Sequence, residues 1–140
     1  MKVLFSPLGL SPGSLFTAIV HTKPDRVVVV SSREGAKFVP EIVNKAEEAI
    51  DKKLAVEVHT VSDPFTGFHD GRRLAKSLVG LSGDENIANI AGGTTVLQDA
   101  VQHLARLIGA REVAVVDRRP PDEQKRNPYV VGELIEVPAE

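Results

Sequence analysis

Three observations predict an α/β fold, a three-layer sandwich on a mostly parallel sheet of about six strands. Short runs rich in β-branched residues alternate with longer stretches of helical period along all 140 residues. Val27-Val28-Val29-Val30 is continuously apolar, as a parallel strand buried on both faces requires. Two glycine-bearing loops, at residues 6–14 and 92–95, each follow a strand signal and open a helix signal.

The apolar run at residues 2–5 is the first strand, and residues 15–20 carry helical spacing. In the loop between them, Ser11 reads as the helix N-cap and Pro12 as the first helical residue, where its missing N–H costs nothing. Residues 27–30 form the second strand, and Ser31, Ser32 and Arg33 follow it towards Gly35. A helix over 39–52 presents Ile42, Val43, Ala46, Ala49 and Ile50 on one face, with Pro40 in its first turn. Residues 54–60 are a third strand, 62–70 a polar loop holding Phe65, Phe68 and His69, and 72–79 a short helix. Residues 86–91 form a fourth strand. Gly92-Gly93-Thr94-Thr95 then opens a helix with apolar positions at Val96, Leu97, Ala100, Val101, Leu104, Leu107 and Ile108. Residues 112–116 and 134–137 are a fifth and a sixth strand, separated by the charged, proline-containing segment 117–129.

In a doubly wound sheet of order 3-2-1-4-5, strands 1 and 4 are neighbours, and ligands bind beyond their carboxyl ends. Both glycine loops then line one crevice. Gly9 and Gly13 permit close approach of a ligand, and a helix N-terminus with free N–H groups favours anions. A phosphate-bearing ligand is therefore expected. The glycines do not have the G-x-G-x-x-G spacing, and no Gly-Lys-Ser/Thr ending marks a triphosphate P-loop. As a strand-to-helix turn alone, the first loop would need glycine and proline only for geometry; the second loop of the same kind tips the reading towards a ligand.

One domain fills the length. No apolar run is long enough to cross a membrane, no secretory signal is visible, and a cytoplasmic protein is expected. There is no cysteine, which removes disulfides and zinc-thiolate sites. A formal charge of -2 argues against a general duplex nucleic-acid binder. His21, His59, His69 and His103 have no metal-ligand spacing, so no metal and no cofactor are expected. Segment 117–129 carries Arg118, Arg119, Lys125 and Arg126 at the same edge as the glycine loops. It reads either as a solvated connection or as a lid bringing cations to a phosphate.

The motifs Leu8-Gly9-Leu10-Ser11-Pro12-Gly13 and Asn89-Ile90-Ala91-Gly92-Gly93-Thr94-Thr95 resemble those of the CARF (CRISPR-associated Rossmann fold) family. Thr95 stands where many members carry lysine. The resemblance implies a Rossmann-like fold and a homodimer that binds a cyclic oligoadenylate, the second messenger of type III CRISPR defence, across its two-fold axis. The implied ligand-binding residues are Gly9, Leu10, Ser11, Pro12, Gly13, Ser14, Ser32, Arg33, Phe65, Gly92, Gly93, Thr94, Thr95 and Arg118. Phe65 or Phe68 would stack on adenine, unless one of them packs beneath its loop.

Most members carry an effector domain behind the sensor, and the chain ends shortly after Val137. It therefore resembles the stand-alone ring nucleases, in which Ser11 corresponds to a loop serine used in cleavage; Arg119, Lys125 or Arg118 would supply the cation. Three readings follow: an enzyme that linearises cyclic tetraadenylate, a binding module that senses or sequesters it, or another nucleotide-binding regulatory protein. A strand between the two glycine loops would favour the third.

Overall fold

Residues 1–139 are described by a computed structural model. Six strands form one sheet in the order β3-β2-β1-β4-β5-β6. They are β1 (Lys2–Leu8), β2 (Arg26–Ser31), β3 (Ala55–Thr60), β4 (Glu85–Asn89), β5 (Arg111–Val116) and β6 (Glu133–Glu136). The first five run parallel, and β6 returns antiparallel to β5. Strands 1 and 4 are adjacent, as expected.

The helices are α1 (Gly13–Thr22), α2 (Arg33–Ala36), α3 (Val39–Ile50), α4 (Phe68–Ser77), α5 (Thr95–Ile108) and α6 (Pro121–Arg126). Alternating side chains of each central strand feed two separate cores. Val3, Phe5, Val28, Val30 and Ala88 pack against α5 through Val96, Leu97, Val101 and Leu104. Leu4, Leu8, Val27, Val29 and Ile87 pack on the opposite face against Leu15, Phe16 and Ile19 of α1 and Ile42 and Ala46 of α3. Burial on both faces explains the unbroken apolar run of β2.

Several boundaries differ from the sequence reading for local reasons. β1 continues to Leu8 through Pro7, because its ladder with β4 ends at Phe5 and leaves that edge without a demand for N–H donors. Helix α4 starts at Phe68 instead of residue 72. Gly71, which weakens its helical signal, lies against α5: a Cβ there would sit 3.4 Å from Ala100 Cβ. β4 stops at Asn89, two residues early, where the side chain turns to other work. Helix α3 ends at Asp51 in a left-handed conformation with φ 52°, and Ala49 is exposed rather than part of its apolar face.

Leu104 is fully buried between α5 and the sheet. Leu104→Ala is expected to cost about 2–5 kcal/mol, read as a lower urea midpoint with an unchanged m-value.

Candidate functional site

Above the carboxyl ends of β1 and β4 the two glycine loops touch. A Cβ on Gly9 would fall 2.9 Å from Gly93 Cα, so neither backbone could retain this approach beneath a side chain. Gly92 and Gly93 have φ of 90° and 72°, the left-handed region that glycine adopts freely. Asn89, fully buried at the end of β4, ties the loops together. Its Nδ2 donates to Ser6 Oγ at 3.0 Å, Ser14 Oγ at 3.1 Å and the Ala91 carbonyl at 3.2 Å. Its Oδ1 accepts from the Ala91 N–H at 3.1 Å, and Ser14 Oγ donates to the Ala91 carbonyl at 3.1 Å.

Helix α1 begins at this junction. Pro12, not Ser11, occupies the N-cap, with its carbonyl accepting from Phe16 N–H at 3.1 Å. The correction follows from Pro12 itself: it already has helical angles and no side chain that accepts a hydrogen bond. No side chain caps α1, and its first-turn N–H groups are left to ligand or water. Ser11 stays exposed in the loop.

The opposite wall comes from segment 117–129, of which residues 121–126 form α6. Tyr129 packs edge-on to Phe16 of α1, ring centroids 5.4 Å apart. Gly132 N–H donates to Thr17 Oγ1 at 3.0 Å, and a Cβ on Gly13 would sit 3.2 Å from the Pro128 carbonyl oxygen. The segment is thus fastened to α1 beside the first loop.

Between these walls lies a cavity of about 520 Å³. Leu10, Ser11, Pro12, Gly13 and Ser14 line one side, Ala91 and Gly92 the floor, and Asp117, Arg119, Gln124 and Lys125 the other. Both glycine loops and two of the three named cations therefore meet. The remaining sequence-named residues sit around this cavity. Gly9 and Gly93 form the contact beneath it. Ser32 accepts from Gly35 N–H at 3.0 Å and caps α2, and Gly35 is pressed against the Gly9 carbonyl. Arg33 is exposed on α2. Thr94 caps α5, accepting from Leu97 N–H at 3.4 Å, and its hydroxyl donates to the Pro64 carbonyl, while Thr95 begins the helix. That bond tethers the loop carrying Phe65 beside the second glycine loop. Phe65 is 76 % exposed and Phe68 41 %, so neither packs beneath the loop. Arg118 is bound to Glu133 of β6 and does not line the cavity.

Arg119 is held by a carboxylate. Its Nε and Nη2 donate to Asp117 Oδ1 at 3.0 Å and Oδ2 at 2.7 Å. Arg119 keeps the Asp117 carboxyl below the usual aspartate range, and Asp117 raises Arg119 in return. Lys125 makes no ion pair among the described residues. Asp117 and Gln124 have no assigned role in the sequence reading, and Asn89 enters it only as the first residue of the second motif. An Asp two residues before an Arg reads as ordinary surface, and only the sheet order brings Asn89 against Ser6 and Ser14.

No protein-family model matches the chain, and no curated protein does. Its fold is nonetheless found among solved structures. Can2 from Sulfobacillus thermosulfidooxidans, in complex with cyclic tetra-adenylate, superposes with a TM-score of 0.69 at 15 % identity, over 83 % of this chain and 32 % of that one. Csm6 from Enterococcus italicus, bound to cyclic hexa-2′-fluoro-hexa-dAMP, gives 0.68 at 16 % identity, over 99 % of this chain and 42 % of that one. The chain has the fold of a CARF domain. A type III CRISPR defence DNA nuclease activated by cyclic oligoadenylate adds a TM-score of 0.64 at 21 % identity, over 81 % of this chain and 18 % of that one. The chain thus spans less than half the length of each of these CARF-fold proteins.

Two outcomes are expected. Asn89→Ala should cost about 1–3 kcal/mol, because it strands the Ala91 N–H in a buried site, and hydrogen exchange at Ala91 should quicken. The carboxyl of Asp117 is depressed in the folded state. The stability it contributes is present above the unfolded aspartate value of 3.8 and is lost as pH falls through the lower folded value. Asp117→Asn should therefore unfold less steeply than wild type below that pH, as read by urea midpoints across an acid series.

Proposed function

We propose that the crevice binds a cyclic oligoadenylate, with cyclic tetraadenylate as the ring, between two copies of the chain, and opens it without a metal. The observation that carries this reading is the convergence on one cavity of the α1 N-terminus, the Gly92 loop, Arg119 and Lys125. It occurs on a fold shared with part of Can2, in complex with cyclic tetra-adenylate, and with part of Csm6, bound to cyclic hexa-2′-fluoro-hexa-dAMP. A ring of four identical units can have two-fold symmetry, and an isologous dimer offers it the same half-site twice. Phe65, exposed and tethered beside the second loop, is available to stack on an adenine. A cytoplasmic setting goes with this messenger.

The reaction would be an intramolecular displacement. A ribose 2′-oxygen attacks the adjacent 3′-phosphorus, the P–O2′ bond forms as the P–O5′ bond breaks, and the 2′-proton leaves. The departing 5′-oxygen takes up a proton, and the product ends in a 2′,3′-cyclic phosphate. Such a step depends on in-line geometry and on stabilising charge on the phosphoryl oxygens. The first-turn N–H groups of α1 and Ser11 suit the first task, and Lys125, free of a counter-ion, suits the second. Binding without turnover is a second reading, favoured by the commitment of Arg119 to Asp117.

Incubation of the protein with radiolabelled cyclic tetraadenylate in EDTA is expected to yield linear products bearing 2′,3′-cyclic phosphate. Lys125→Ala should lower kcat on the order of 100-fold with a smaller change in binding. Ser11→Ala should slow cleavage with an unchanged melting temperature, since Ser11 caps no helix. Tight binding with no cleavage by the unmodified protein would replace the enzyme by the sequestering module. Sedimentation should show a dimer at micromolar concentration, and a monomer both with and without the ring would remove the shared-site geometry.

A further inference from the structure

We propose that Asp117 is a built-in competitor of ligand phosphate: it occupies the fork of Arg119 that would otherwise clamp a phosphate, and so weakens anion binding in the cavity. This rests on the reading of the cavity as a phosphate site and adds how its affinity is set.

Arginine recognises phosphate best through two parallel N–H donors, the geometry by which it also grips a carboxylate. In the structure the Nε–Nη2 edge of Arg119 is spent on Asp117, at 3.0 and 2.7 Å. Nη1 donates to the Asn127 carbonyl at 2.9 Å. Asp117 is fixed in turn, its Oδ1 accepting the Arg119 backbone N–H at 3.0 Å. Gln124 Nε2 grips the Arg119 carbonyl at 2.7 Å and the Asp117 carbonyl at 3.3 Å. Both charged side chains are only about a fifth exposed, at 20 % for Arg119 and 23 % for Asp117, and both line the cavity. Of the three ionised side chains on its wall, Asp117 and Arg119 cancel, and Lys125 alone presents an unbalanced charge. A phosphate can gain the Arg119 fork only by displacing Asp117, and otherwise meets the carboxylate as a like charge.

The test is a double-mutant cycle on Asp117 and Arg119, with inorganic tripolyphosphate as the calorimetric probe and cyclic tetraadenylate in a parallel arm. Asp117→Asn keeps the shape and removes the charge. It is expected to bind tripolyphosphate about fivefold to tenfold more tightly, because the Nε–Nη2 fork of Arg119 is freed to pair with phosphate. The gain should disappear in the Asp117→Asn/Arg119→Ala double variant, whose wall carries the same net charge as wild type and which should bind at about wild-type affinity. Asp117→Ser, uncharged and smaller, should show the same gain, and this arm stands if Asp117→Asn fails to fold. If the ring is cleaved, Asp117→Asn should lower KM, whereas a purely structural role would raise KM or leave it unchanged. Equal or weaker tripolyphosphate binding by folded Asp117→Asn overturns the proposal. So does a gain over wild type that survives in the double variant, or no binding by any variant. The tripolyphosphate pattern without ring binding upholds the competitor and removes the cyclic oligoadenylate reading. Ring binding without that pattern does the reverse.

Discussion

Between β1 and β4 the winding of the chain reverses, so α1 leaves the sheet towards one face and α5 towards the other. The two loops that start these helices are thereby left open above a shared edge, and no side chain of the sheet closes the space between them. The cavity depends on this reversal. It also explains why β1 is buried from Val3 to Leu8 and β4 from Ile87 to Asn89: each must pack helices on both faces to hold the edge in place. A buried asparagine at that edge is tolerable because both of its polar side-chain atoms have hydrogen-bond partners. Satisfied in this way, it fixes the spacing of the loops more rigidly than apolar packing would.

The charge arrangement is economical. With a formal net charge of -2, the chain has no general attraction for polyanions. Whatever anion selectivity it has must come from local placement: the uncapped start of α1, the backbone of the Gly92 loop and cations brought by segment 117–129. That segment is secured at both ends, by Asp117 and Arg119 after β5 and by the Tyr129–Phe16 contact before β6. Its cations are therefore carried on a structured wall and not on a loose connection.

Much of this was legible in the sequence. The glycine loops, the valine run of β2 and the period of α5 each leave a short-range pattern, and together they imply the layer arrangement. The strand order is assumed from the doubly wound class and supplied by the structure. Less legible were features that depend on what lies across space. Gly71 reads as a helix weakener because nothing local shows that Ala100 will press against it. Ser11 reads as a cap because Ser-Pro is a good start, whereas the helix takes up its angles one residue later, at Pro12. Asp117 and Asn89 are unremarkable letters until the sheet order gives them neighbours. Arg118 and Arg119 look equivalent in sequence, and opposite side-chain directions along an extended segment send one to Glu133 and the other to the cavity wall.

The contact between Gly9 and Gly93 has a consequence for how such a crevice can diversify. Because a Cβ on Gly9 would meet the Gly93 backbone and Gly93 itself has a φ of 72°, the contact beneath the pocket is main chain against main chain and offers mutation nothing to work with. New ligand preferences can arise at the side chains around it: at Leu10 and Ser11, at Thr17 and Val115, on the Phe65 loop and along α6. The fold thus separates an unalterable foundation from a permissive margin, and drift in sequence is channelled to the side chains that frame the opening.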